Sequence, residues 1–524
     1  MKVALNKSFL GERIYIFGLV LLAASLPLSK FMITISEFII VAGWLMSSNL
    51  TERIRQFFRT PSAWMFSAIY VLFVIGIFYS LGNLEHGLKE LRIKLPVLIL
   101  PFVISTAPAL SRKQWRYVVG FFIAAVLVGS GIATYVLSTT DVQDTRDISP
   151  FISHIRFGLM LSLAFFACIY FAWNTMLWYL RLLMIVLSAW ILIFLVLLES
   201  VTGLGITITL GILMLIYMIF KKGKIWVRLL SFISLLAIIV FAVFFARNII
   251  NEELVAPEVD FSELEETTAK GNPYYHDTTS TWHENGHYIY LYICEPEMKK
   301  AWNKRSDIPY SGYDKRNQKL KYTLIRFLNS KGLRKDAKGV QQLNKEEVQA
   351  IENGIANINY MQRSSLRARL SQIIYEYKNY RLHGDPSGHS VMQRLEYWKA
   401  AIGIIKENPL IGVGTGDINQ SFNTQYKKMD TRLDEKYRLR SHNQYLRIGA
   451  TLGLLGLGLF LLFLLYPIIA ARAWEEALFM PFLFIVLMSM ITEDTLETQV
   501  GANFFAFFFA FLLWGRRNIF TKRR

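Results

Sequence analysis

The sequence is poor in cysteine and in charged residues. It has 2 cysteines in 524 residues, with Cys168 in an apolar run and Cys294 in a long polar segment, so no disulfide between them is expected. Charged residues make up 18% of the chain and apolar residues 53%, whereas soluble proteins average about 25% charged residues. The shortage of charge argues against a soluble protein.

The apolar residues occur in long runs. A transmembrane helix needs roughly 20 mostly apolar residues to cross ~30 Å of hydrocarbon. The sequence contains about twelve such runs, which predicts an all-α, polytopic membrane protein. The predicted spans are residues 14–30, 32–49, 62–81, 94–110, 116–138, 153–173, 177–198, 202–220, 227–248, 443–470, 477–492 and 499–515.

The net charge of +18 is not spread in the way that nucleic-acid binding would require. Lysine and arginine cluster in alternate short loops and in the tail "GRRNIFTKRR", whereas intervening loops such as "STTDVQDTRD" and "TEDTLETQ" are acidic or poor in cations. This positive-inside pattern predicts that both termini are cytoplasmic. The first apolar run lacks a small-residue cleavage site and is expected to remain as a span.

Three regions follow from the spacing of the runs. Residues 1–248 hold nine predicted spans, residues 249–440 form a polar segment, and residues 441–524 hold three more spans and the basic tail. Because odd-numbered spans run outward, the polar segment is predicted to be a mainly helical extracytoplasmic loop domain between spans nine and ten. Helices are predicted at 316–331, 363–381 and 390–406, a capping box at "NKEE" (344–347) and a short strand at 287–294.

Several charged or titratable residues lie in or at the ends of the spans, all on the predicted outer side. Such positions are functional candidates by default. Any one of them is equally well explained as an interfacial side chain that reaches for water, but their common side favours an outward-facing polar site. They are Glu37, Arg156, Glu199, Arg247, His442, Glu493, Asp494 and Glu497.

The stretch "YRLRSHNQYLR" precedes the tenth span. Ser441 and Gln444 fit a capping box, which predicts that His442 is the first helical residue. A helix N-terminus binds phosphate, and Arg438 and Arg440 would add bidentate contacts. The helix dipole favours the neutral imidazole, which can accept a proton, whereas a bound diphosphate favours the charged form. In its neutral form His442 is a candidate general base. The alternative is a capping serine, two interfacial arginines and a hydrogen-bonded histidine.

Two other motifs are less specific. In "NPLIGVGTGD", Gly412, Gly414 and Gly416 permit tight turns and close backbone approach; the segment is either a loop near substrate or an ordinary turn, because it lacks the dinucleotide spacing. "HENGH" (283–287) matches a zinc-protease pattern, but Asn285-Gly286 predicts a turn instead of a helix. No metal site is expected there.

The sequence resembles the O-antigen ligase and polymerase superfamily of bacterial membrane glycosyltransferases. The resemblance rests on "RLEYWKAA" with Arg394 and Trp398, then "NPLIGVGTG", then "HNQYLRIGATLGLLG", in that order. The number of spans and the large loop between the ninth and tenth agree with it.

The resemblance implies a reaction at the periplasmic face of the inner membrane. A glycan would pass from undecaprenyl diphosphate to a sugar hydroxyl, with inversion and without metal or cofactor. The acceptor would be lipid A–core for a ligase, or another lipid-linked glycan for a polymerase, and the sequence leaves this choice open. His442 is the expected base and Asn443 an orienting residue. The diphosphate ligands are expected to be Arg156, Arg394, Arg440 and Arg438.

The sequence departs from the superfamily pattern at one place. Many relatives carry an S-R-G segment at the start of the eighth span, where this chain has Val201-Thr202-Gly203. Arg156, Arg363 or Arg367 is a candidate to replace the missing arginine. A secondary transporter is the alternative of another class, but such proteins tend to show internal repeats and broken membrane helices, and neither is evident in the sequence.

Overall fold

The computed structural model of the chain describes residues 2–516 except 48, 81, 140–147, 222, 254, 256–257 and 362–365. Within that range the chain is mainly α-helical, as predicted. It forms two compact units: residues 1–213 together with 384–524, and residues 214–383. The predicted loop 249–440 is therefore divided, because its last part belongs to the unit that contains most of the apolar helices.

The helices in chain order are α1 Lys2–Ser25, α2 Lys30–Ser47, α3 Leu50–Phe58, α4 Pro61–Phe78, α5 Leu84–Lys94, α6 Pro96–Thr106, α7 Arg112–Thr139, α8 His154–Asn174, α9 Trp178–Leu197, α10 Val201–Phe220, α11 Ile225–Glu253, α12 Glu295–Trp302, α13 Leu320–Ser330, α14 Ala337–Gln341, α15 Lys345–Glu352, α16 Leu366–His383, α17 Ser390–Glu407, α18 Ile418–Lys428, α19 Gln444–Ala470, α20 Phe479–Thr492 and α21 Gln499–Trp514. Two short strands, β1 His283–Glu284 and β2 His287–Tyr288, pair antiparallel.

Nine helices of the described chain are long and apolar enough to cross a membrane: α1, α2, α4, α7, α8, α9, α10, α11 and α19. The predicted count of about twelve is not confirmed. The predicted spans at 477–492 and 499–515 correspond to α20 and α21, which have 14 and 16 residues. The predicted span at 94–110 corresponds to α6, whose 11 residues begin with Pro96.

Aromatic side chains of α21 form much of the core of the first unit. Phe509 stacks on Phe66 of α4 with ring centroids 4.0 Å apart. Phe508 meets Phe122 of α7 edge-on at 4.7 Å. Such contacts add to the large apolar area that each ring buries. Because α21 is buried along nearly its whole length, it fixes the helices around it despite being short.

The helix α19 is interrupted at Gly453, which has φ 70° and ψ −177°. The glycine-rich loop before α18 fills the interruption: carbonyls on one side of the break accept from loop N–H groups, and N–H groups on the other side donate to loop carbonyls. The bonds are Val413 N to Ala450 O (3.1 Å), Gly414 N to Thr451 O (2.8 Å), Leu454 N to Pro409 O (2.8 Å) and Leu455 N to Leu410 O (3.2 Å). The sequence-based expectation of unbroken membrane helices is thus wrong for α19.

The glycines of the loop are needed for this close packing. A Cβ on Gly412, whose φ is 69°, would lie 2.5 Å from the Thr451 backbone. A Cβ on Gly414 would lie 2.8 Å from the Gly76 carbonyl oxygen, and one on Gly416 would lie 2.6 Å from the Asn83 carbonyl oxygen. The structure gives the three glycines a packing role between the loop, α19 and the end of α4.

The second unit confirms two local predictions. Asn285 and Gly286 have φ of 50° and 75° and form the turn between β1 and β2, so the two histidines of "HENGH" lie on a hairpin and not on one face of a helix. The capping box between Asn344 and Glu347 opens α15. The predicted strand at 287–294 is shorter than expected, since β2 ends at Tyr288.

Replacement of Gly453 by alanine tests the loop-filled break in α19. The new Cβ would lie 2.1 Å from the Leu410 carbonyl oxygen at a positive φ, so we expect a loss of at least about 2 kcal/mol of stability. Thermal unfolding of the purified protein in detergent measures it. Gly458→Ala is the control, because a Cβ there meets nothing within 4 Å; equal unfolding midpoints for the two variants would contradict the interpretation.

Candidate functional site

The candidate site lies within the first unit, at the start of α19. Its other walls are the connection between α20 and α21 and the first turns of α8 and α17. The connection contains a 3₁₀-helix at Thr495–Glu497 and is preceded by Glu493 and Asp494. It brings buried carboxylates to the residues that the sequence singled out before the tenth span.

Asp494 is the centre of this arrangement. Its side chain is fully buried; it forms an ion pair with Arg440 Nε at 3.0 Å and accepts hydrogen bonds from Ser441 Oγ and His442 N, both at 3.1 Å. A buried carboxylate requires such partners. Together they hold His442 at φ 47°, a left-handed conformation that few residues other than glycine adopt.

The start of α19 differs from the predicted capping box. Asn443 is the N-cap, and its Oδ1 accepts from Leu446 N at 3.0 Å. The prediction that Ser441 caps the helix with Gln444 at its third position is wrong, because Gln444 is the first helical residue. His442 therefore lies just outside the helix, and Asn443 already occupies one of the N–H groups that were expected to bind an anion.

The His442 ring is held between an aromatic face and a carboxylate. It stacks on Tyr397 of α17 with centroids 5.6 Å apart. Its Nδ1 is buried, has no hydrogen-bond partner within the described structure and lies 3.7 Å from Glu493 Oε2. That distance is too long for a hydrogen bond, but a carboxylate on this side favours a proton on Nδ1. Nε2 is then the nitrogen able to accept a proton.

Glu493 connects the histidine with the arginines. Its Oε1 lies 3.1 Å from Arg394 Nη2, and it lines one small cavity together with Arg156. Burial by itself would raise the pKa of the Glu493 carboxyl, but His442, Arg394 and Arg156 together hold that pKa below its ordinary value. Glu493 is therefore a carboxylate at neutral pH.

Three of the four predicted arginines meet at this place. Arg156, Arg394 and Arg440 surround Glu493 and Asp494, so three guanidinium groups face two carboxylates. Arg156 Nη1 donates to Ser153 Oγ at 2.9 Å, while its Nε is buried without a hydrogen-bond partner among the described residues. Because a guanidinium has five N–H donors, the group keeps donors for a further anion.

Arg438, the fourth predicted ligand, has other partners. Arg438 Nε donates to Leu433 O at 3.0 Å, and its Nη1 lies 3.8 Å from Glu435. Of the candidates for the missing superfamily arginine, Arg363 lies outside the described residues and Arg367 belongs to the second unit. Arg156 lies at the site. Gly412, Gly414 and Gly416 pack within the fold, as described above.

A buried ionic network lies beside the site, and sequence reasoning missed it. Lys94 Nζ lies 2.8 Å from Glu497 Oε2 and also contacts Glu90, and Arg447 Nη2 lies 3.9 Å from both carboxylates. Burial alone would raise the pKa of Glu497, but Lys94 and Arg447 lower that pKa well below its usual value. The signal was present in the sequence as Lys94 at the start of a predicted apolar span.

Fold and site together define a multi-pass membrane protein with a polar site built on membrane helices. A family model described as O-antigen ligase matches residues 346–461. The matched segment contains Arg394, Arg440 and His442 and ends before Glu493. The match confirms the resemblance of the chain to the O-antigen ligase and polymerase superfamily. No curated protein matches the chain.

Glu493→Gln tests the link between the histidine and the arginines. A carboxylate whose folded pKa lies below its ordinary value of 4.5 stabilises the fold above that pH, and this stability is lost as the pH falls through the folded pKa. We expect the variant to be less stable than the wild type by about 2 kcal/mol at pH 7. When the pH falls below 4.5, the variant should lose less additional stability than the wild type does.

Thermal unfolding between pH 7 and pH 4 measures this difference. Glu435→Gln is the matched control, because the Glu435 side chain is 86% exposed and 3.8 Å from Arg438, and such surface pairs contribute little. An unfolding midpoint for Glu493→Gln that equals that of the control at pH 7 would show that the ion pair with Arg394 is unimportant.

Proposed function

We propose that the protein is an O-antigen ligase-like glycosyltransferase. It moves a glycan from undecaprenyl diphosphate to a sugar hydroxyl of lipid A–core, at the periplasmic face of the bacterial inner membrane. The observation that carries the proposal is the meeting of His442 with Arg156, Arg394 and Arg440 around Glu493 and Asp494. The match to the O-antigen ligase family supports it.

The arginines bind the diphosphate of the donor. Guanidinium groups bind phosphate oxygens in bidentate fashion, and they stabilise the negative charge that grows on a leaving diphosphate. Arg394 and Arg440 are already held by Glu493 and Asp494, so they need little reorganisation when the donor arrives. Arg156 takes over the role of the superfamily arginine, which this chain lacks at residues 201–203.

His442 is the general base. Its Nε2 takes the proton of the acceptor hydroxyl while the hydroxyl oxygen attacks the anomeric carbon. The bond from that carbon to the diphosphate oxygen breaks, undecaprenyl diphosphate leaves with the electron pair, and the configuration at the anomeric carbon inverts. Glu493 stabilises the imidazolium. The imidazolium later loses its proton to the released undecaprenyl diphosphate or to water.

Asn443 positions the base. Its side chain caps α19, and the residue follows His442 directly, so the direction of the imidazole depends on where the helix begins.

A polymerase of the same superfamily would use the same residues with another lipid-linked glycan as the acceptor. Deletion of the gene separates the two: loss of long glycan from lipid A with accumulation of long carrier-linked chains indicates a ligase, and single-repeat products indicate a polymerase.

His442→Ala should abolish transfer while the lipid-linked donor still binds, because the arginines remain. We expect turnover to fall by about 10²–10⁴-fold, the usual contribution of a general base. Purified protein in liposomes, supplied with lipid-linked donor and lipid A–core, measures turnover and donor affinity separately. Near-normal turnover would exclude His442 as the base.

Arg394→Ala should weaken donor binding by at least tenfold, because it removes a charge-assisted phosphate contact. The comparison variant is Arg438→Ala, which removes the same group from a position bonded to Leu433 and Glu435. Donor affinity should change much less in the second variant. The assignment of diphosphate ligands is wrong if the two variants bind donor equally well.

A further inference from the structure

A second cavity of the first unit lies away from His442. It has a volume of about 320 Å³, is open to one side and is bounded by the end of α17, one face of α18 and the turn at Gly82. None of its lining residues has a place in the mechanism above. Most of its lining residues are polar, whereas apolar atoms, including those of Ile404 and Val413, contribute the larger share of the exposed lining.

Three lining side chains are free to bind a ligand. The side chains of Asn408, Gln420 and Thr424 have no hydrogen-bond partner within the described chain, and all three face this cavity. Each amide offers two N–H donors and one acceptor oxygen, and the hydroxyl offers both functions. Paired donors and acceptors of this kind match the neighbouring hydroxyl groups of a sugar.

The charged groups of the cavity are already engaged. Glu407 accepts from Lys428 Nζ at 2.9 and 2.8 Å. Asp417 Oδ1 accepts from the backbone N–H groups of Gly82 and Asn83 at 2.9 and 3.1 Å. Two carboxylates and one ammonium leave a formal charge of −1 on the wall, so the cavity disfavours a phosphate or a uronic acid and favours an uncharged ligand.

We propose that this cavity is a subsite for an uncharged sugar unit of a glycan chain, remote from the bond that reacts. The inference rests on the proposed function, because the proposed reaction is what brings a glycan to the protein. An uncharged hexose or N-acetylhexosamine presents the hydroxyl and amide groups that Asn408, Gln420 and Thr424 can bind, and its apolar face can rest on the apolar atoms of the lining.

The two sites are joined by helices but are too far apart for one sugar. Arg394 near the start of α17 pairs with Glu493 beside His442, and Glu407 at its end lines the cavity. At 1.5 Å per residue these two positions are about 20 Å apart along the helix. On α18, Asn419 accepts from Arg447 at 3.2 Å, and its neighbour Gln420 lines the cavity. Only a glycan of several units can reach from one site to the other.

The test uses the full-length protein and the glycan of its own host, released from the lipid carrier by mild acid. This probe has neither lipid nor diphosphate. Calorimetry should show binding to the wild type and about tenfold weaker binding to the double variant Gln420→Ala, Thr424→Ala, because about two hydrogen bonds are lost. Asn423→Ala is the matched control, since Asn423 is exposed on α18 outside the cavity lining.

Variants of the reacting centre separate this inference from the proposed function. His442→Ala and Arg394→Ala should bind the released glycan as the wild type does. If Arg394→Ala loses this binding while the cavity variant keeps it, the glycan binds at the reacting centre and the subsite is refuted. Absence of binding to the wild type also refutes it. If the cavity binds glycan but the wild type transfers none, the proposed function fails and the subsite stands.

The source of the glycan follows from how the Michaelis constants depend on chain length. In the cavity variant the KM for a long donor should rise about tenfold while the KM for a single-repeat donor stays constant, if the subsite holds the donor chain. A rise only for the long acceptor assigns the subsite to the acceptor chain. Unchanged KM values for all long substrates would contradict the inference.

Discussion

The site depends first on the contacts of Asp494. One buried carboxylate pairs with the Arg440 guanidinium and accepts hydrogen bonds from the Ser441 hydroxyl and the His442 backbone N–H. These three partners belong to consecutive residues, so a single side chain fixes both the path of the backbone and the position of one arginine. Without this acceptor, the left-handed backbone of His442 would lose the interaction that offsets its strain.

Asp494 can act in this way because its own segment is anchored. The connection between α20 and α21 is held by Gln444, whose Oε1 accepts from Leu496 N at 2.7 Å, and by Glu497 in the buried network with Lys94. Lys94 lies at the end of α5, and the first turns of α19 are bonded to the loop before α18 through the break at Gly453. The polar site is thus tied to elements that are far apart in sequence.

The sequence predicted local structure better than the long-range contacts. The positions of His442, Arg394 and the helices around them follow from spacing within short windows, and the turn at Asn285-Gly286 follows from the conformational preferences of its residues. The pairing of Glu493 with Arg394 joins residues 99 positions apart, and no local pattern encodes it. The helix start was misplaced because Ser441 and Asn443 are both good caps, and a buried partner, Asp494, engages Ser441.

The break in α19 shows the same limit. Gly453 looks like one of several small residues in an apolar helix, and Gly458 in the same helix does lie in open space. What distinguishes Gly453 is the loop at Pro409–Thr415, which supplies hydrogen bonds for the backbone groups that the break leaves free. In a membrane such groups must be satisfied within the protein. The glycine-rich loop and Gly453 therefore form one hydrogen-bonded arrangement. Their close packing explains why both segments contain glycine.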